Sequence, residues 1–315
     1  MGRAFVFPGQ GAQTIGMGRD LADAYPEAKA VFDEVDDALG EALSALIWEG
    51  DAETLTLTQN AQPALMATSL AAMRALQAEG VTIADAAFVA GHSLGEYSAL
   101  AAAGALSVAD TARLLRARGR AMQQAVAPGV GAMAALLGLD FATAAEVAAE
   151  AAGGEVCVAA NDNDPAQVVV SGHAAAVARA VEIAKARGAK RAVMLPVSAP
   201  FHCPLMAPAA DVMAEALGNV TIVAPAVPVV ANVLARPVSD PAEIRDLLVT
   251  QITHSVRWRE SVEWMATEGG VTEFWEIGAG KALSGMVRRI AKEAGTLQVG
   301  SADEARAAAA AKEGN

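Results

Sequence analysis

Apolar and polar positions along the chain alternate between two rhythms, short uncharged runs and longer stretches at helical spacing. Arg3–Phe7 is a run of buried-strand type, closed by Pro8-Gly9-Gln10-Gly11-Ala12-Gln13. From Tyr25 to Trp48 apolar residues recur at helical spacing with acidic residues on the outer face. Gln62–Gln77 predicts another helix, with Pro63 in its first turn, where a missing N–H would have no partner anyway. The uncharged Ala86–Ala90 run predicts a strand, and the alanine-rich Ser98–Ala105 a helix. A further helix is expected over Ser107–Val126, with Ser107 and Asp110 suited to cap its start.

The pattern changes at Val130. Val130–Leu139 reads as a strand and Phe141–Ala152 as a helix. Glu155–Ala160 and Gln167–Ser171 read as paired strands around a turn-rich Asn161-Asp162-Asn163-Asp164-Pro165. His173–Arg187 is a helix and Arg191–Val197 a last strand. The order β-α-β-β-α-β is that of a small ferredoxin-like unit. Strands near Val227–Asn232 and Glu273–Ile277, with helices at Pro241–Thr250, Trp258–Thr267 and Ala282–Glu293, resume the first rhythm. The expected class is therefore α/β, with a discontinuous large domain (1–128 and 198–302), an insert (129–197) and a frayed or disordered tail (303–315).

At 315 residues, 54% hydrophobic, the chain can bury a large core. A formal charge of −13 argues against nucleic acid as the main partner. Cys157 and Cys203 have no metal-site spacing and fit a reducing compartment as buried thiols. The Ala4–Pro8 run is too short for an export signal, and the longest uncharged stretches are interrupted by proline, asparagine and glutamine. The expectation is a cytoplasmic monomer with no membrane contact. Two phosphate-binding patterns fail. Thr14 stands where a third glycine would be needed after Gly9 and Gly11, and Ala282 follows Gly280-Lys281 where Ser or Thr is required.

The chemistry centres on Gly91-His92-Ser93-Leu94-Gly95, set between an expected strand and an expected helix. A serine at the tip of such a turn is strained and exposed, and the glycines let strand and helix approach. The Leu94 amide falls at a helix start, where an oxyanion can accept from it. Four histidines are candidate bases. His92 should point away from its neighbour Ser93, and His173 begins a helix of the insert and is expected to be solvated. His202 sits between Pro200 and Pro204, which favours it over its competitor His254.

On the Ser107–Val126 helix, Arg113, Arg116 and Arg120 form an expected outward stripe. Arg118 instead shares a face with Leu114, Leu115, Ala121 and Met122. A guanidinium there needs a buried carboxylate partner or an anionic ligand. A substrate carboxylate, gripped by two parallel hydrogen bonds, meets that need.

These motifs resemble those of the malonyl-CoA:acyl-carrier-protein transacylases of type II fatty-acid synthesis. The resemblance rests on Pro8–Gln13, Gly91–Glu96, Arg118-Gly119 with Met122, Pro200–Cys203, Gln251 followed by Val256-Arg257-Trp258, and Glu276-Ile277-Gly278. It implies an α/β-hydrolase-like large domain with the ferredoxin-like insert. It further implies Ser93 as acylated nucleophile, His202 as base and Arg118 as malonyl-carboxylate ligand. Gln10 and Leu94 would supply the oxyanion-hole amides, the Gln251 main-chain carbonyl would orient the histidine, and Phe201 is the residue typical of malonyl-selective relatives. Malonyl-CoA and acyl carrier protein are the implied partners, with no metal or redox cofactor. An acidic carrier would need a positive patch. Candidates are the Arg113-Arg116-Arg120 stripe, Arg187 with Lys190 and Arg191, and Lys281 with Arg288 and Arg289. Two rivals are a serine hydrolase or thioesterase using Ser93, Asp246 and His254, and a non-catalytic carrier-binding module, which needs neither elbow nor histidine.

Overall fold

The computed structural model describes residues 2–197 and 199–313; Ser198, expected at the return to the large domain, lies outside them with Met1, Gly314 and Asn315. Among the described residues ten strands follow in chain order. They are β1 (Gly2–Phe7), β2 (Phe88–Gly91), β3 (Gly131–Leu137), β4 (Cys157–Asp164), β5 (Gln167–His173), β6 (Arg191–Met194), β7 (Val229–Ala231), β8 (Arg236–Val238), β9 (Val271–Ile277) and β10 (Gly295–Val299). They form a six-stranded sheet in the order β10-β9-β1-β2-β7-β8 and a four-stranded sheet in the order β4-β5-β3-β6.

The larger sheet is parallel except for its β7–β8 hairpin, and β1 lies inside it, paired with β2 and β9. Parallel strands covered on both faces carry unbroken apolar runs, and the β1 residues Ala4 to Phe7 are fully buried. The smaller sheet is antiparallel throughout. One face packs on the Phe141–Ala152 and Ala174–Ala186 helices through Val147, Ala148, Val168, Val170, Val177 and Ala180. Among the described residues no helix is long and apolar enough to cross a membrane.

Several expected boundaries move, each for a physical reason. The Asn161–Asp164 run is not a turn but the end of β4, and only Pro165-Ala166 connects to β5. Residues of the C-terminal part of the chain partner this run. Asp162 N donates to Val256 O at 2.9 Å and Val256 N to Ala160 O at 2.9 Å. Asp162 pairs with Arg259 at 2.8 Å, and Asp164 with Arg289 at 2.7 Å. The Tyr25–Trp48 stretch splits into Pro26–Leu39 and Leu43–Glu49, because Gly40 ends the first helix in a left-handed conformation (φ 66°).

Pro63 is inside the Thr58–Ala78 helix rather than in its first turn. The proline leaves the Gln59 carbonyl without its helical donor. Arg116 Nη1 supplies one, at 2.8 Å. Arg116 also bonds Asn60 and pairs with Glu41, and it is 6% exposed, so the expected outward stripe of arginines is broken at its middle member.

Over its described part the tail is a helix, Ala302–Glu313, with Ala305 and Ala308 in the main core. Strands β8 and β10 and the Ala207–Gly218 helix were not anticipated.

Candidate active site

Strand β2 ends at Gly91 and the next helix begins at Gly95, so the elbow turns within three residues. A Cβ on Gly91 would lie 1.9 Å from the Gly95 carbonyl, and one on Gly95 2.2 Å from Phe7 O. Only glycine fits at either place. Ser93 has φ 54°, a left-handed conformation that costs a non-glycine residue about 1–2 kcal/mol. Its amide donates to Asn232 Oδ1 at 2.8 Å, which helps hold the turn.

Ser93 Oγ lies 2.8 Å from His202 Nε2, and His202 Nδ1 lies 2.9 Å from the main-chain oxygen of Gln251. A carbonyl only accepts, so Nδ1 carries the proton and the Nε2 lone pair faces the serine hydroxyl. Burial and the neighbouring Arg118 charge push the imidazole pKa down to about 3. It is therefore neutral and ready to accept. His254 is exposed, with Nδ1 beside Thr250 O at 3.0 Å, and Asp246 is exposed too, so the alternative triad is not assembled. His92 turns away from Ser93 and bonds Asn163 Oδ1 at 2.8 Å. His173 is not simply solvated, since its Nδ1 accepts from Val156 N at 2.9 Å.

Arg118 is 1% exposed, and among the described residues it forms no ion pair. Its Nη2 donates to Ser93 Oγ at 3.0 Å and to Gln251 Oε1 at 2.8 Å, and its Nη1 to Gln62 Oε1 at 2.9 Å. The guanidinium carbon also sits 5.6 Å from the centre of the Tyr97 ring. Its hydrogen-bond partners are thus all neutral, the Glu96 carboxyl acting on it only through space, and the buried cation stands beside the serine hydroxyl.

These groups open into a cleft of about 430 Å³ between the two sheets. Gln10, Leu94 and Phe201 line it beside Ser93, Arg118 and His202, while Met133, Ala135 and Val169 of the smaller sheet face them. Among the described residues no group of three or more His, Cys, Asp or Glu is placed to hold a metal ion. Both cysteines are free and buried, and Cys203 Sγ donates to Pro200 O.

The acyl transferase domain family matches residues 4–310. The malonyl CoA-acyl carrier protein transacylase of Escherichia coli K12 is 49% identical over 310 residues, covering 98% of both chains. That of Bacillus subtilis strain 168 is 48% identical over 94% of this chain and 92% of its own. The crystal structure of the acyl-carrier-protein-S-malonyltransferase of Bartonella henselae superposes with a TM-score of 0.96 at 55% identity, covering 99% of each chain. A malonyl-transacylase solved in complex with its type II PKS acyl-carrier protein reaches 0.95 at 42% identity over all of both chains. This chain belongs to the malonyl CoA-acyl carrier protein transacylases.

Three polar residues of this transacylase's site were not singled out from sequence. Glu96 is 2% exposed, and its Oε2 accepts from Asn232 N at 3.0 Å and Gln251 Nε2 at 2.8 Å. Burial lifts its carboxyl to a pKa of about 7. Asn232 grips the elbow from both sides, accepting from Ser93 N and donating to Gly91 O at 2.7 Å. Asn163 holds His92. The signal for Glu96 was its place in the first turn after the elbow, on a helix buried from Gly95 to Leu100. Asn163 was hidden in what looked like a turn, and Asn232 in a proline-broken stretch.

Proposed function

We propose that this protein transfers the malonyl group of malonyl-CoA to the phosphopantetheine thiol of acyl carrier protein, through a malonyl ester on Ser93. One observation carries the reading: Ser93 Oγ lies between the lone pair of His202 Nε2 and Arg118 Nη2, a buried cation to which no carboxylate among the described residues is bonded. His202 Nε2 takes the Ser93 proton as Oγ attacks the thioester carbonyl. The amides of Gln10 and Leu94 receive the oxyanion, which a preorganised pair of donors stabilises more than water does. The C–S bond then breaks, the imidazolium returns its proton to the coenzyme A sulfur, and the malonyl ester remains. The carrier's thiol enters the same cleft and the steps run in reverse.

Arg118 binds the free malonyl carboxylate and fixes the reacting carbonyl over Ser93. The Gln251 carbonyl takes the orienting place that an aspartate fills in other serine enzymes, and Phe201 narrows the acyl pocket to unbranched malonyl. No cofactor enters these steps.

The glycine-flanked serine between β2 and its helix, on a mainly parallel sheet, supports describing the larger part as α/β-hydrolase-like. The β-α-β-β-α-β sequence with sheet order β4-β5-β3-β6 supports a ferredoxin-like insert over 129–197. The proposed working form is a cytoplasmic monomer. Incubation with malonyl-CoA and the holo carrier protein tests the function: malonyl should appear on the carrier thiol, whereas release of free malonate alone would indicate a hydrolase.

A further inference from the structure

Glu96 lies behind the nucleophile elbow, where an apolar side chain would cost nothing in solvation. A carboxylate buried without a directly bonded cation is expensive, so its partners show what it is used for. Both are parts of the site. Gln251 Nε2 donates to Glu96 Oε2 at 2.8 Å and to Ser93 O at 3.1 Å, while Gln251 Oε1 accepts from Arg118 Nη2 at 2.8 Å. Asn232 N donates to the same Glu96 oxygen at 3.0 Å, and its side chain holds the Ser93 amide.

A glutamine amide has two faces, and its neighbours choose between them. Glu96 Oε2 accepts from both Asn232 N and Gln251 Nε2, so a proton on this carboxyl would sit on Oε1. With Ser93 O and Asn232 Oδ1, Glu96 Oε2 draws the NH2 of Gln251 and leaves the amide oxygen facing the guanidinium. Turned over, Gln251 would set its oxygen against Glu96 and its NH2 against Arg118, losing both bonds. Among the described residues the guanidinium would then keep Gln62 as its one side-chain acceptor other than Ser93.

We infer that Glu96 is a positioning residue that fixes the Gln251 amide and, through it, aims Arg118 at the substrate carboxylate beside Ser93. The inference rests on the reading of Arg118 as the malonyl ligand. It makes Glu96 a determinant of malonyl over acetyl transfer, although it touches neither substrate nor reacting atoms.

The test is the ratio of single-turnover acylation rates with malonyl-CoA and acetyl-CoA, measured for wild type, Glu96→Ala, Glu96→Gln, Arg118→Ala and the Glu96→Ala/Arg118→Ala double variant. Glu96→Ala should lower the ratio about ten- to a hundredfold, the scale of a lost hydrogen bond to a charged group. Glu96→Gln keeps an acceptor oxygen and should recover most of it. The double variant should have the ratio of Arg118→Ala alone, because the two residues act in series. Equal loss of both rates in Glu96→Ala, with the ratio kept, would overturn the inference while leaving the Arg118 reading intact. An unchanged ratio in Arg118→Ala would overturn that reading and the inference with it. If Glu96→Ala does not fold, Gln251→Leu decides. It removes the bridging amide but keeps the main-chain carbonyl, and a preserved ratio there would contradict the account.

Discussion

Ser93 and His202 share a positive φ as well as a hydrogen bond: φ is 54° in one and 57° in the other, with Oγ and Nε2 2.8 Å apart. Among the described residues only Ala235 joins them as a non-glycine residue with positive φ. Strain of this kind persists only where the surroundings over-determine it. Here the Gly91 and Gly95 contacts hold one residue, and the Gln251 carbonyl on Nδ1 and Ser93 on Nε2 hold the other.

His202→Ala should slow formation of the acyl-enzyme by about 10²–10⁴-fold, the usual worth of a positioned general base. His254→Ala should leave it within a small factor of wild type, since that ring is exposed and bonded to Thr250 O. Stopped-flow acylation by malonyl-CoA checks both. The reverse outcome would favour a triad through His254.

Arg118→Ala should lose malonyl transfer and gain relative activity with acetyl-CoA, which brings no carboxylate. Removing one partner of a buried charge pair costs ~3–5 kcal/mol, or about two to four decades in rate. Lysine should rescue only part of the loss, because it lacks the two-pronged donor geometry. Paired rates with the two thioesters measure it.

Burial, aided by Arg118, keeps His202 neutral far below the usual imidazole range. A base of depressed pKa loses a proton acceptor only as pH falls through its folded value. Acylation should therefore show no His202 inflection near pH 6.5, and its ring resonances should not titrate between pH 5 and 8. In Arg118→Ala the midpoint should move upward, toward the ordinary value, because one cause of the depression is gone. NMR titration of the histidine rings reads both.

Gly95→Ala should destabilise the fold by about 3 kcal/mol, the upper part of the overpacking range, since the new methyl would meet Phe7 O at 2.2 Å. Denaturant unfolding measures it, and an unchanged midpoint would mean the elbow is looser than it stands here.

The elbow and its chemistry were legible because they depend on local sequence. Glycines flank a serine, apolar residues precede it, and Arg118 sits on an apolar helix face. What the chain hid depends on distant partners. Asn161–Asp164 reads as a turn by composition, yet it completes β4 because Val256, Arg259 and Arg289 satisfy it from more than 90 residues away. Arg116 matches its exposed neighbours Arg113 and Arg120 in spacing, and the proline-freed carbonyl of Gln59, with Asn60 and Glu41 beside it, draws it inward. The tail from Asp303 reads as frayed or disordered from its alanine-rich, charged composition, because nothing local shows that Ala305 and Ala308 pack in the core. Glu96 stands in the motif itself, but its value lies in Gln251 and Asn232, each more than 130 residues onward.

In the proposed mechanism the malonyl group rests on Ser93 between its two carriers. Intact-mass analysis after mixing with malonyl-CoA, followed by peptide mapping, tests it most directly. One malonyl adduct should appear on the peptide holding Ser93, disappear on adding holo acyl carrier protein, and never form in Ser93→Ala. A malonyl adduct retained in folded Ser93→Ala, or carrier loading by wild type without any adduct, would contradict it.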